Sequence, residues 1–251
     1  MVVAAIALGT LYVVGVRRLA GRGRVWPAAR WVPFAAGVIV LGVAALLPES
    51  SFSWHMTQHV LIGMVVPILL ALGAPITLAL QASSRPTTTT MLRVLHSRVA
   101  STLAHPIVGW ALFGGTVVAY YLSPLFELSL QHTWLHALVH VHFLVIGCLF
   151  LWPLVGLDAT PRPLPYGARL LAILVAVPFH AFLGVALLTT TTVLAPAVYP
   201  SLADQHAAAG ILWASGELLT LTVAAIVFAQ WWAAEQRASI RLDRRLTASP
   251  P

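Results

Sequence analysis

Seven apolar stretches divide this chain, and its arginines fall only in alternate gaps between them or at the edges of those gaps. The stretches cover roughly 1–16, 31–48, 54–80, 106–122, 133–156, 168–193 and 206–234. In lipid every backbone N–H and C=O must find its partner inside the protein, so only helices and closed barrels cross a bilayer. These runs are too long and too evenly apolar for barrel strands, which alternate over about ten residues. The expected fold is an all-α integral membrane protein: one transmembrane domain spanning 1–251, a bundle of about seven helices.

The gaps 17–30, 81–105 and 157–167 and the tail 235–251 carry the arginines. The gaps 49–53, 123–132 and 194–205 carry Glu49, Glu127 and Asp204 and no arginine. The positive-inside rule then predicts an N-terminus outside and a basic C-terminal tail in the cytoplasm. Residues 1–16 precede the first arginines, the order of a reverse signal anchor rather than a cleavable signal peptide. That run is short for a span, which needs about 20 residues, and points to a start upstream.

Composition supports lipid as the main solvent. Charged residues make up 8% of the chain and apolar ones 59%, against about 25% charged in soluble domains. The net charge of +7 does not indicate nucleic acid. The arginines are spread over short loops, with no basic patch interleaved with aromatics of the kind single-strand binders use. Anionic lipid of the inner leaflet is the partner expected for the tail. The single cysteine, Cys148, excludes an intrachain disulfide and a CxxC redox or metal motif. Pro67, Pro75 and Pro178 lie inside helical patterns and predict kinks. Segment 81–90 reads as a polar, flexible loop and 159–165 as an extended connection.

The histidines carry the chemistry. His96 and His105 belong to an inner loop; the other eight lie in the outer half or the middle of the bundle. His55 and His59 are four residues apart, so one helical face presents both. His132, His136 and His140 form a second ladder descending from the outer surface, and His142 points away from His140. His180 falls near mid-membrane. His206 opens the last span, with Glu217 three turns deeper on the same stripe. Ionisable groups at membrane depth face a bundle interior or a wet cavity and mark function by default. A lone His142 or His206 is explained by an interhelical hydrogen bond. That explanation weakens for His59, His140 and His180, which occupy three spans at overlapping depth and are expected to converge.

A His-x3-His pair projects two rings toward one point, a good chelating geometry. The expected metal ligands are His55, His59, His136, His140 and His180 with Met56. His132, His142, Asp204, Gln205, His206 and Glu217 are expected around them or in the outer vestibule. Asp204 is expected to cap the last span, and Glu217 to pair with an imidazole such as His180. Imidazole suits copper, zinc and iron, and thioether favours Cu(I), so Met56 and Met64 beside His59 favour copper. Two alternatives stay open. His59 and His140 have the spacing to serve as axial ligands of a heme. A zinc-dependent intramembrane hydrolase would use Glu217 or Asp204 as its base.

Four segments together resemble a known family: HMTQHVLIGMVVPILLALGAP (55–75), HALVHVHFLVIGCLFLWPLVG (136–156), PFHAFLGVAL (178–187) and YPSLADQHAAAGILWASGELL (199–219). The pattern is similar to the multi-pass CtaG family, assembly factors of caa3-type cytochrome c oxidase, over roughly 55–235. The resemblance implies a multi-pass protein of the bacterial plasma membrane. It implies a non-enzymatic role in which copper is handed to subunits of cytochrome c oxidase on the outer side. His55, His59, His140, His180, Asp204 and Gln205 match the motifs. Some family members carry methionine where this chain has Leu212, which removes one soft ligand.

Overall fold

The computed structural model describes residues 1–248. Helices make up most of it, with no strand among the described residues: α1 (Val2–Ala20), α2 (Ala28–Ala44), α3 (Phe52–Leu72), α4 (Pro75–Ala82), α5 (Arg85–Leu95), α6 (Arg98–Leu103), α7 (Pro106–Tyr121), α8 (Leu125–Gln131), α9 (Thr133–Val155), α10 (Tyr166–Thr189) and α11 (Leu202–Ala248). Five helices, α1, α3, α9, α10 and α11, are long and apolar enough to cross a bilayer, or six if α7 and α8, bent by 73°, form one span. The 17-residue α2 is apolar but shorter. The expected count of seven is reached only by including both.

Several boundaries differ from expectation for local reasons. The stretch 54–80 is two helices, because Gly73 ends α3 and Ala74 takes a left-handed φ of 48° before Pro75 starts α4. Pro75 sits at the first turn, where its missing N–H costs nothing, so it begins a helix rather than kinking one. The polar segment 81–90 is not a flexible loop. Ser84 precedes α5, Pro86 lies in its first turn, and Thr88, Thr89 and Thr90 bond back to carbonyls four residues earlier. The last helix does not stop at 234; α11 is 47 residues long in all, about 70 Å at 1.5 Å per residue, so the basic tail through Ala248 continues the same helix.

The arginine-bearing turns gather at one end of the bundle. Arg22 donates to the carbonyls of Gln81 and Ser83, and Arg30 to that of Leu157. At this end Arg169 is buried and closes α9, donating to the Leu154 and Val155 carbonyls and to Gln230. Two apolar cores lie between the ends. The smaller joins α1, α2, α3 and α4 through Tyr12, Phe34, Leu41, Ile62, Leu70 and Leu78. The larger is built from α3 and α7 to α11.

The contact that sets the bundle's geometry is between α3 and α9. Pro67 has no N–H to give the carbonyl of Gly63, and α3 widens over Leu61–Val65 into a π-helical turn in which Val66 N–H bonds Leu61 O. Such turns occur where the backbone ladder is interrupted. The Gly63 carbonyl then faces Gly147 of α9 so closely that a Cβ at Gly147 would lie 2.1 Å from it and 2.8 Å from Pro67 Cγ. Trp152 Nε1 donates to the Pro67 carbonyl at 3.0 Å one turn along. Gly147→Ala is therefore expected to force the two helices apart. Thermal unfolding in detergent should show a clear drop in midpoint, reflecting an overpacking cost of about 1–3 kcal/mol, whereas Gly42→Ala, with nothing within 4 Å of its added Cβ, should leave the midpoint where it is.

Candidate metal centre

Two His-x3-His pairs face each other one to three turns above this close approach. His55 and His59 come from the N-terminal turns of α3, His136 and His140 from those of α9, and all four are buried. Ring centroids lie 4.2 Å apart within each pair, and 5.0 Å apart for both His55–His136 and His59–His140. One ligand nitrogen each from His55, His59 and His136 falls within 4.8 Å of the others. The Nε2 atoms of all four rings are buried without a hydrogen-bond partner among the described residues. A buried polar atom left unpaired costs about 1–3 kcal/mol, and the three that belong to the mutually close histidines have the arrangement of a ligand set.

The opposite edge of three rings is held. His59 Nδ1 is 2.7 Å from the Tyr121 hydroxyl at the end of α7. His136 Nδ1 is 3.5 Å from Glu49 Oε1, in the turn between α2 and α3. His55 Nδ1 is 3.4 Å from the Tyr199 hydroxyl, in the segment between α10 and α11. That hydroxyl also donates to the Glu49 carbonyl at 3.3 Å. Burial, and after it the negative charges of Glu49 and Asp204, push the Tyr199 phenol up to about 12, so it remains a neutral O–H that can donate to Glu49 and accept from His55. In the tautomer that carries the proton on Nδ1, each of these three rings keeps its buried Nε2 lone pair free for an ion. Metal-binding histidines are oriented in this way by partners in their outer shell. Glu49, Tyr121 and Tyr199 are absent from the set expected from the sequence. Nothing in their spacing reveals them, since each meets its histidine across 62 to 144 residues or, for Glu49, across the gap from the turn before α3 to α9.

The motif residues around 204 build the frame rather than the pocket. Ser201, not Asp204, caps α11, its hydroxyl accepting from the Asp204 N–H at 3.2 Å. Asp204 instead accepts from the first N–H groups of α3, Phe52 at 2.6 Å and Ser53 at 3.3 Å, and from the Ser53 hydroxyl. An anionic cap at a helix N-terminus satisfies orphan donors and favours the helix dipole, here across 152 residues. Gln205 is buried rather than in an open vestibule; it accepts from Leu194 N–H and donates to the Thr192 carbonyl. His206 Nε2 meets the Thr190 carbonyl at 3.2 Å. Together these clamps hold the segment that carries Tyr199.

Four expected neighbours lie apart from the four-imidazole cluster. His180 contacts Phe113, not the other imidazoles, and its Nδ1 is also buried without a partner among the described residues. Its expected convergence with His59 and His140 fails because α10 packs against α11, with the His180 ring lying on Gly216. His132 is exposed beside Trp134, and His142 is exposed on the far side of α9. Glu217 is half-buried on α11, and no ion pair joins it to His180 among the described residues. Met56 is buried one residue from His55.

The model of the cytochrome c oxidase caa3 assembly factor family matches residues 10–234. An uncharacterized protein of Mycobacterium leprae is 36% identical over 96% of this chain, and uncharacterized proteins of Mycobacterium bovis and Mycobacterium tuberculosis are each 35% identical over the same share. The chain spans 40% of the length of each of these curated relatives. No solved structure matches it.

The outer hydrogen bonds give a direct expectation. Tyr121→Phe removes the hydroxyl beside His59 while keeping the ring. Competition titration with a transition-metal ion should show affinity weakened by about 10–100-fold with the thermal midpoint little changed.

Proposed function

The chain belongs to the cytochrome c oxidase caa3 assembly factor family, and on that premise we propose that it serves oxidase assembly as a non-catalytic copper carrier. Copper is the cargo. His55, His59 and His136 hold it, with His140 in reach as a fourth ligand, and oxidase subunits receive it at the outer face of the bacterial plasma membrane. The observation that carries this reading is the grouping of His55, His59 and His136 within ligand distance of one another, each ring held at Nδ1 by Tyr199, Tyr121 or Glu49 with its Nε2 buried and unpartnered among the described residues.

The donor set suits release as well as binding. Neutral imidazoles bind copper without the charge that a thiolate pair would add, and Cys148 is the only cysteine. Imidazole nitrogen places copper above zinc in intrinsic affinity. The half-exposed Glu49 carboxylate, in contact with His136, stands at the rim where an ion would pass between the pocket and the outside. The alternatives fit less well. A bis-imidazole heme needs a macrocycle between its axial rings, whereas His59 and His140 are in edge-to-face contact, and Phe143 also lies 4.9 Å from His59. For a hydrolase, Asp204 is committed to the start of α3, and Glu217 forms no ion pair with an imidazole among the described residues. The orientation that serves this role puts the cluster outside and the arginine-rich end inside, as the positive-inside rule requires.

Two measurements follow. Purified wild type should retain copper by elemental analysis, and His59→Ala or His136→Ala should lose it from the imidazole site; wild type reconstituted with copper and found empty would overturn the assignment. A fluorescent reporter that matures only in the cytoplasm should be bright when fused to the C-terminus, and a dark fusion expressed at full length would reverse the orientation.

A further inference from the structure

Beneath the imidazole cluster, toward the middle of the bundle, lies a second chamber that shares only His59 with the three-histidine centre. It is lined by Met56, His59, Met64, Phe113, Tyr121 and His180 among other apolar groups. Met56 and Met64 are both buried, two turns apart on the inward face of α3, and they are two of the four methionines in the chain. Leucine would fill the same space; thioether sulfur adds a soft donor. His180 enters from the opposite wall on α10, with Nδ1 buried and no partner among the described residues. Its position is imposed. A Cβ at Gly216 would fall 2.5 Å from His180 Cγ, so the ring lies directly on the backbone of α11. Gly114 does the same for Phe179, where a Cβ would lie 2.5 Å from that ring. Two glycines on two helices thus admit the side chains that close the far wall.

We propose that this chamber is a second metal site, selective for a soft monovalent cation, Cu(I), with Met56, Met64 and His180 as its donors. Thioether and imidazole ligands are neutral, and soft ions prefer them. The walls are aromatic, and ring faces stabilise a desolvated cation. A divalent ion in the same place would carry twice the charge into an apolar setting without a carboxylate to balance it. His59 belongs to both chambers, with Nε2 among the outer imidazoles and its ring lining the inner cavity. It is the residue through which an ion already in the reduced state would pass from one site to the other by ligand exchange, with no electron transferred. The proposal rests on the copper reading for its biological meaning, but the chamber's preference for a soft cation stands on its own residues.

The test is a titration of the full-length protein with Cu(I) under a competing chelator, alongside Ag(I) as a second soft probe, with X-ray absorption at the copper edge. Wild type is expected to take two equivalents and to show sulfur scattering. Met56→Leu/Met64→Leu, a volume-conserving change, should lose one equivalent and the sulfur signal while keeping the other; His180→Gln should lose the same equivalent. His55→Ala/His136→Ala should keep the sulfur-bound one. Wild type that takes one equivalent with nitrogen scattering alone, or a methionine variant identical to wild type in both readouts, overturns the second site and leaves the imidazole centre standing. Loss of copper confined to the methionine variants, with the His55/His136 variant unchanged, supports the chamber and overturns the outer centre instead.

Discussion

The close approach of α3 and α9 at Gly63 and Gly147 is the contact on which the candidate centre depends. Each helix carries two histidines one turn apart, and neither pair alone surrounds an ion. They face each other because the backbones touch below them, where Gly147 has no side chain and Pro67 has freed the Gly63 carbonyl. Above the contact imidazoles fill the space between the helices, with centroids 4.2 to 5.0 Å apart. Asp204 fixes the upper end of α3 from α11, and Trp152 fixes its lower part from α9. The pocket is therefore held from both sides of the glycine contact.

Much of this was legible in the sequence, for physical reasons. Apolar runs long enough to cross lipid predict helices, and helices are what form. A spacing of four residues puts His55 with His59, and His136 with His140, on one face regardless of context. That both pairs sit at the arginine-free end follows from counting residues along each run. What failed was anything that depends on how helices turn about their axes or on contacts across the chain. His180 has the right depth, but α10 faces α11 and carries its ring onto Gly216. Asp204 has the position of a cap, but the helix it caps is α3. The groups that orient the imidazoles, Glu49, Tyr121 and Tyr199, come from helix ends and turns, where spacing carries no period. Glu49 stands out in the sequence only for its sign, as an acidic residue in a gap without arginine. Pro75 read as a kink because a proline inside an apolar run gives no sign that the helix has already ended one residue earlier, at the left-handed Ala74.

The two chambers suggest a division by chemistry within one bundle. Nitrogen donors line the outer one, close to the half-exposed Glu49. Sulfur donors and aromatic rings line the inner one, away from any carboxylate. On the proposed copper reading, the protein would hold an ion firmly against loss and still give it up to a partner. Ligands drawn from two helices that meet at a glycine contact meet both needs, since a small separation of α3 and α9 would break the set without unfolding either helix. The chain spans 40% of the length of its mycobacterial relatives.

The claim that imidazoles from α3 and α9 grip one ion together is tested most directly by pulsed electron paramagnetic resonance on the Cu(II)-loaded protein. Modulation from the remote ring nitrogen counts bound imidazoles, and here that nitrogen is Nδ1. The account predicts combination lines from at least three equivalent imidazoles, with one lost on changing His136 alone and one lost on changing His59 alone. A spectrum with a single imidazole, unaltered when His136 is replaced, would contradict it.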